Sequence, residues 1–528
     1  MPSTSTHTLM DAVAARPEHI PAQQPHNAAG TQIRGSSLLL AGRLIATGLN
    51  FFAQVLIVRQ LSQADYGAWT YALAIVAFFH GISTLGLRRG ITRFVPIYHE
   101  RDEYHKLFGT IALTLLTIVL TSLVIIGGMY LYPEWLTRLI HDGDSALTVL
   151  LILIFMVPME AIDGLLVALF ASFARPRAIF FRKHILGPAL KLMLVALLVT
   201  FDSGLMFLAY GWLAINIVGI ALYLIMLVTM MRERGILRHF NYGLLNLPVR
   251  EIFAFTIPLM TSDLVTIVMH SVDTLLLGYF HGISEVAEYR VILPAAHLNT
   301  IVMASFSLLY TPVSARLFAR NDFVGINSLY WKTAVWMSLL SFPIFALTFS
   351  LARPLTVFLY GARYESSWTL LAMISLGYYF NVVLGFNGLT LKVLGHVRYV
   401  VVINGLAAAI NAVLVLLLVP RYGAFGAALG TALAMIAHNV LKQIGLKRAA
   451  DLHVFEWQYF SLYVTIMAGT VSLFVVQYLL DPNIYISVSA AAAVSAAVVL
   501  VCRKKLDVQG TFPELLRLPL MRQLFGSR

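Results

Sequence analysis

Apolar residues gather along this chain into long stretches separated by short polar segments. Fourteen stretches are long enough to cross a bilayer, approximately 37 to 58, 68 to 87, 107 to 131, 147 to 173, 185 to 201, 205 to 231, 252 to 278, 291 to 313, 333 to 352, 368 to 391, 399 to 419, 425 to 441, 459 to 479 and 484 to 502. The criterion is that about 20 helical residues at roughly 1.5 Å each span a hydrocarbon core of about 30 Å. The pattern predicts an all-α polytopic membrane protein.

The seventh stretch, from Phe253 to Phe280, is apolar enough to span, yet it carries Asp263, His270 and Asp273. At about 100° per residue, these three fall with Thr266 and Thr274 within an arc of about 100°. Ionisable side chains at membrane depth face a bundle interior or a wet cavity. With Pro258 placing a kink in its first half, this helix is expected to form one wall of a hydrated central cavity. Its acids and His270 are candidates for ion coupling, since groups that exchange protons bias one cavity state over another by their differential affinity.

Other spans carry polar groups too. In the first, Arg43, Thr47, Asn50 and Gln54 lie within roughly 60° of one another. The donor fork of Arg43 suits phosphate oxygens, although an arginine at this depth can also snorkel to the interface. Span 4 holds Pro158, Glu160 and Asp163, and span 5 holds Lys191. These either line the cavity or clasp one another across adjacent helices. His80 and His297 join His270 near mid-membrane, where a lone histidine commonly just hydrogen-bonds to a neighbour. Gly377, Asn381, Gly385, Gly388 and Lys392 share a face of span 10, and Asn404 and Asn411 share a face of span 11. GAFGAALGTALA opens span 12 with small residues that allow close packing. The asparagines and Lys392 are candidates for a sugar path.

Charge placement orients the spans. One set of loops holds Arg88, Arg89, Arg93, Arg101 and Lys106, then Arg175, Arg177, Arg182 and Lys183, then Arg232, Arg234, Arg238 and Arg250, with Arg503, Lys504 and Lys505 after the last span; the alternate set offers Arg59, Arg138, Arg290 and Arg421. By the positive-inside rule both termini are expected in the cytoplasm, with Arg59 facing outward. The same placement explains the formal charge of +12 and the pI of 9.7 without nucleic acid as a partner. With 59% hydrophobic residues, 12% charged residues and a mean hydropathy of +0.81, no soluble class fits.

Residues 1 to 34 are expected to be a disordered cytoplasmic tail with no signal-peptide core, and residues 503 to 528 a basic amphipathic tail. Between them the chain divides into lobes at 35 to 245 and 246 to 450, followed by spans 13 and 14 within 451 to 502. The division rests on a repeat. NFFAQVLIVRQLSQADYGAWTYALAIV and DTLLLGYFHGISEVAEYRVILPAAHL share an apolar helix, a short turn and an acidic-x-small-x-aromatic motif: Asp65, Gly67 and Trp69, against Glu285, Ala287 and Tyr289. An offset of six spans implies parallel halves related by an axis along the membrane normal; shared hairpin chemistry is the plainer explanation.

No nucleotide-binding loop, zinc-protease helix or serine-hydrolase elbow occurs. The single cysteine, Cys502, excludes a cysteine metal cluster. The expectation is a transporter, not an enzyme, with neither cofactor nor metal.

LIVRQLSQADYGAWTYALAIVAFFHGISTLGLRRGITRFV resembles the amino-terminal signature of Wzx-type polysaccharide flippases. PLMTSDLVTIVMHSVDTLLLGYFHGISEVAEYRVILP is similar to the opening of that family's second half, where Asp273 falls in its iDtlmLG-like motif, and LLVPRYGAFGAALGTALA is similar to its twelfth span. Ala287 replaces a glycine usual after the turn. The resemblance implies a member of the multidrug, oligosaccharidyl-lipid and polysaccharide exporter superfamily. It further implies two six-helix lobes around a V-shaped cavity, moving undecaprenyl-diphosphate-linked sugars across the bacterial inner membrane by alternating access, for O-antigen, capsule or exopolysaccharide. Its partners would be the polyprenyl-diphosphate-linked oligosaccharide, membrane lipid, a polysaccharide polymerase and a chain-length regulator. On that reading Arg43, Asn50, Lys191, Arg290, Asn381, Lys392, Asn404 and Asn411 are candidates for headgroup and sugar contacts, and Glu160, Asp163, Asp263, His270 and Asp273 for cavity acids or coupling groups.

Two other classes compete. A drug exporter of the same superfamily would favour an acidic cavity, whereas Arg43 and Lys191 are cationic. A membrane polymerase would need a long outward loop with paired acids, and YPEWLTRLIHDGDSA offers only Glu134, Asp142 and Asp144.

Overall fold

The computed structural model describes residues 25–132, 144–241, 243, 245–450, 455–503 and 506. They form helices with no strand among them: α1 (Pro25–Gln60), α2 (Gln63–Ser83), α3 (Leu87–Glu100), α4 (Tyr104–Leu131), α5 (Asp144–Leu153), α6 (Met156–Ser172), α7 (Pro176–Phe180), α8 (Gly187–Thr200), α9 (Leu205–Glu233) and α10 (Val249–His281). The chain continues through α11 (Ile283–His297), α12 (Ile301–Ala319), α13 (Phe323–Phe345), α14 (Ala352–Tyr360), α15 (Trp368–Val383), α16 (Asn387–Val393), α17 (Val397–Ala450), α18 (Phe460–Leu480) and α19 (Ile484–Cys502).

Among the described residues nine helices are long and apolar enough to cross a membrane, or eleven if two bent pairs each count as one span. The expected count of fourteen is not reached: the expected spans 11 and 12 are joined in one helix, and α1 and α10 are not among the helices counted. The second expected span stops at Ser83 and resumes after a 43° bend as α3, so Arg88, Arg89 and Arg93 are helical and not in a loop. Arg182 likewise lies in a π-helical turn, Phe181–Leu186, that leads into α8. The expected spans 11 and 12 run together in α17, interrupted at Gly423. At the first terminus, α1 begins at Pro25, inside the stretch expected to be disordered. Residues 1–24, the loop with Glu134 and Asp142, and most of the 503–528 tail lie outside the described residues.

Helix starts follow the local chemistry. Ser62 caps α2 by accepting from the Asp65 N–H at 3.0 Å, and its hydroxyl donates to the Asp65 carboxylate at 2.7 Å. The corresponding acid of the second motif does a different job. Glu285 accepts from the Ala424 N–H at 2.6 Å, supplying the N-terminal partner for the second half of α17. Gly423 there has φ of 54°, and a Cβ on it would run into the Glu285 carboxylate.

Three apolar cores set the shape. The first joins both halves of the chain at the end carrying Arg59: Ile57 and Val58 of α1 and Tyr66 and Trp69 of α2 meet Val286, Ala287 and Tyr289 of α11, with Val419 and Ala427 of α17. At the opposite end the cores are separate. One packs α3, α4, α6 and α9 around Phe94, Phe170 and Tyr223. The other packs α13, α15, α17, α18 and α19 around Trp331, Tyr379, Leu462 and Cys502. A single core at one end and two at the other leave a space between the lobes.

Helix α10 belongs to both lobes. Its Ile252 lies in the core of α3 and α4, and Phe94 packs edge-on against Phe255 at 5.6 Å. Its other end places Leu277 in the shared core.

Within lipid, helices associate through close packing and hydrogen bonds, and the Arg59 end uses both. A Cβ on Gly67 would strike the Ile283 carbonyl and sit 3.4 Å from the Ala287 Cβ, so α2 and α11 touch backbone to backbone. Gln63 donates to Ser284 O at 3.4 Å and to Glu288 at 3.3 Å. Arg59 donates to the carbonyls of Phe358 and Leu359, while Arg363 donates to those of Val58 and Arg59. These are last-turn carbonyls of α14 and α1, so each arginine caps a helix of the other lobe.

Gly67→Ala should lower the unfolding midpoint of the detergent-purified protein, because the new Cβ meets a backbone carbonyl that cannot rotate away; about 1–3 kcal/mol of overpacking is expected. Gly127→Ala, where a Cβ meets nothing within 4 Å, is the control and should leave the midpoint unchanged or slightly raised. Equal midpoints for the two variants would contradict the close approach.

Candidate functional site

The space between the lobes holds two adjoining cavities. The larger, about 760 Å³, is lined by Arg43, Thr47 and Asn50 of α1, His80 of α2, Arg88 and Arg89 of α3, and Glu160 and Asp163 of α6, with Arg182, Lys183, Lys191, Asn216 and Asp263. The smaller, about 370 Å³, is lined by Arg43 again, with His297, Asn381, Asn387, Lys392, Asn404 and Lys442. Arg43 therefore stands on the boundary between a first-lobe and a second-lobe compartment.

Of the residues singled out in the sequence, Arg43, Asn50, Glu160, Asp163, Lys191 and Asp263 come together in the first compartment. Asn381, Lys392 and Asn404 come together in the second. Asp273 and Asn411 do neither, which corrects the expected single polar wall. Asp273 is buried within the second lobe and accepts from Tyr289 at 2.9 Å, Thr431 at 2.7 Å and Asn411 at 3.1 Å. A separate space of about 110 Å³ lies beside it. Asp263 and Asp273 sit at the edges of the predicted arc, roughly 80° apart, and α10 faces different lobes at those two positions. The His270 side chain lies outside the described residues. Arg290, on α11, lines neither large compartment.

Several cavity charges are already matched. Arg89 pairs with Asp263, tying α3 to α10. Arg182, which is 8% exposed, lies 3.0 Å from Asp163 across the gap between the α8 and α6 segments. The clasp expected between span 4 and span 5 thus uses Arg182 and not Lys191. Lys191 instead lies over the Trp212 ring, 4.7 Å from its centroid, and Trp212 stands edge-on to the motif residue Trp69 at 5.1 Å. Cation–π contact of this kind holds an ammonium in place while leaving its N–H donors available. His80 Nδ1 lies 3.8 Å from Glu160. In the larger compartment six basic side chains face three acidic ones, and among the described residues no ion pair engages Arg43, Arg88 or Lys183. The excess is positive.

Arg88, Arg89, Arg182 and Lys442 were not among the residues singled out. For the first two a signal existed: Leu87, Ile91, Phe94, Val95 and Tyr98 recur at helical spacing through the arginine-rich segment, and all are buried. A run read as loop by its charge was an amphipathic helix. Arg182 gave no such signal, because its burial depends on Gly219 of α9, where a Cβ would meet the guanidinium.

Residues 33–318 match the family described as "Polysaccharide biosynthesis protein", and residues 258–417 match the MatE family. An uncharacterized membrane protein of Methanocaldococcus jannaschii is 21% identical over 425 residues, which is 76% of this chain and 80% of that protein. Among solved structures, the lipid II flippase MurJ in an inward closed conformation is similar with a TM-score of 0.68 at 14% identity, covering 89% of this chain and 99% of MurJ. An inward-facing multidrug resistance MATE family transporter of the MOP superfamily is similar with a TM-score of 0.57 at 14% identity, covering 77% and 95% of the two chains. At these identities the likeness is one of fold.

The Arg182–Asp163 pair makes a direct prediction. Asp163→Asn leaves a buried guanidinium without its counter-charge, which typically costs about 3–5 kcal/mol, so folded protein recovered in detergent should fall sharply. Glu160→Gln removes a carboxylate that, among the described residues, has no arginine or lysine within ion-pair distance, and should be recovered at the wild-type level. Equal recovery of both variants would show that the Asp163 pair carries no structural load.

Proposed function

Because the chain belongs to the polysaccharide biosynthesis protein family, within the multidrug, oligosaccharidyl-lipid and polysaccharide exporter superfamily, we propose that it is a flippase for polyprenyl-diphosphate-linked oligosaccharide. The observation that carries this reading is the positive excess of the inter-lobe cavity. A diphosphate taken from the membrane surface into a protein interior needs cations, since an unpaired buried charge is prohibitive. Among the described residues Arg43, Arg88 and Lys183 have no carboxylate partner, and Lys191 is held over the Trp212 ring. A cavity built for cationic drugs would carry the opposite excess.

Orientation follows from charge. The end at which the cores separate carries Arg88, Arg89, Arg93, Lys183 and Arg232, so by the positive-inside rule it faces the cytoplasm, and the Arg59 end faces the periplasm of a bacterial inner membrane. The lobes meet at the Arg59 end, so on this reading the cavity opens toward lipid-linked sugars made on the cytoplasmic side. Undecaprenyl diphosphate is the carrier we assign. The product would pass to a polysaccharide polymerase working with a chain-length regulator, in O-antigen, capsule or exopolysaccharide assembly. None of this asks the protein to break a covalent bond.

In proteoliposomes loaded with a fluorescent polyprenyl-diphosphate-linked sugar, Arg43→Ala should slow flipping about tenfold or more, the loss of one charge-assisted contact of about 1.5–3 kcal/mol. Lys191→Ala should slow it to a smaller extent, with both proteins recovered normally. Wild-type rates in both variants, or wild-type protein that flips nothing while exporting cationic dyes, would remove the proposal.

A further inference from the structure

The second compartment has a composition that a neutral sugar would not require. Its lining holds Arg43, Lys392 and Lys442 and, among the described residues, no aspartate or glutamate. Neither lysine has an ion-pair partner among those residues. They lie close together: a Cβ on Gly388 would sit 3.5 Å from the Lys442 Nζ, and Lys392 follows Gly388 by about one helical turn. Two like charges brought together inside a bundle repel one another and resist desolvation. Their juxtaposition persists only where water or an anion in the cavity balances it.

Around the lysines stand groups suited to sugar hydroxyls. Asn381 and Asn404 line the same space, and Asn404 is oriented by a 2.9 Å contact between its Oδ1 and His438 Nε2. The first-lobe compartment already supplies enough cations for a diphosphate. The second set is therefore surplus to the carrier lipid.

We infer that Lys392 and Lys442 form an acidic-sugar subsite, and that the oligosaccharide this protein moves bears a carboxylate, as a hexuronic acid does, in the part of the head group that reaches the second lobe. This rests on the flippase reading and narrows it to a substrate class. Arg43, shared by the two compartments, would stand between the diphosphate and the acidic sugar. Lysine suits the second position because its ammonium is a compact point charge with rotatable donors, able to follow a carboxylate on a sugar ring of variable orientation.

The test uses full-length protein in nanodiscs of phosphatidylcholine alone, with three synthetic ligands: polyprenyl diphosphate bearing a disaccharide that ends in a hexuronic acid, the same lipid with that carboxyl reduced to the alcohol, and bare polyprenyl diphosphate. Wild type should bind the uronic-acid lipid about tenfold more tightly than its reduced counterpart, as one charge-assisted contact implies, with the ratio shrinking as salt rises. In Lys392→Gln/Lys442→Gln that ratio should fall to about one, the contact having been removed. Equal wild-type affinities for the two glycolipids would overturn the subsite without any variant. So would a double variant that keeps the ratio, or one that loses bare polyprenyl diphosphate by the same factor, since the lysines would then hold the diphosphate. Failure of wild type to bind any of the three lipids would instead bring down the flippase reading itself and the subsite with it.

Discussion

A charge inside an apolar bundle needs a counter-charge, a set of oriented dipoles or water, and this requirement sorts the polar residues of the protein. Asp273 has dipoles: three donors from α11 and α17 satisfy its carboxylate where it is nearly inaccessible. Asp163 and Asp263 have counter-charges in Arg182 and Arg89. These acids are occupied in holding helices together. Arg43, Arg88, Lys183, Lys392 and Lys442 have neither solution among the described residues, and all of them line the inter-lobe space. Among the described residues lining that space, cations outnumber acids, and the one acid without an arginine partner is Glu160, whose contact is His80.

The two ends of the bundle solve different problems. At the Arg59 end, a glycine-mediated approach of α2 to α11 supplies short-range packing, and reciprocal arginines satisfy last-turn carbonyls of α1 and α14. Packing of this kind loses about a quarter to a half of its dispersion attraction once surfaces part by roughly 0.5–1 Å. Carbonyls released from an arginine can be taken up by water at a membrane surface, so opening this end exposes no group that water cannot satisfy. At the opposite end the described residues form two separate cores, and α10 packs there into that of the first lobe through Ile252, Phe253 and Phe255, while Leu277 at its other end lies in the shared core.

Much of the architecture was legible because the bilayer imposes a length and an apolarity that single-chain reading detects. The boundaries were legible less often, for reasons particular to each place. Arg88 and Arg89 were read as loop since charge outweighed a helical apolar stripe that ran through it. Arg182 is buried only because Gly219, nearly forty positions later, makes room for it, and no local pattern reports that. The stripe on α10 was real as periodicity, but a helix that changes lobes along its length presents one face to two environments. Asp263 reached the cavity and Asp273 did not. The repeated acidic-x-small-x-aromatic motif shows the same limit: Asp65 stays within its own helix start, accepting from the capping Ser62 hydroxyl, while Glu285 reaches across to Ala424.

These features bear on how the cavity would cycle under the proposed function. An anionic ligand entering between the lobes would meet cations of both: Arg88 and Lys183 on one side, Lys392 and Lys442 on the other, with Arg43 between. Before it arrives, those groups repel across the space and favour separation of the lobes at that end. Once bound, it attracts both walls at once and favours their approach. A ligand can drive a conformational equilibrium only through its different affinity for the two states, and a gap lined on both sides by like charge provides such a difference without any moving part dedicated to it. Closing there would lever the lobes about their contact at the other end, where the arginine caps and the Gly67 packing must give way together. The charge that identifies the substrate would then also be the charge that turns the protein over.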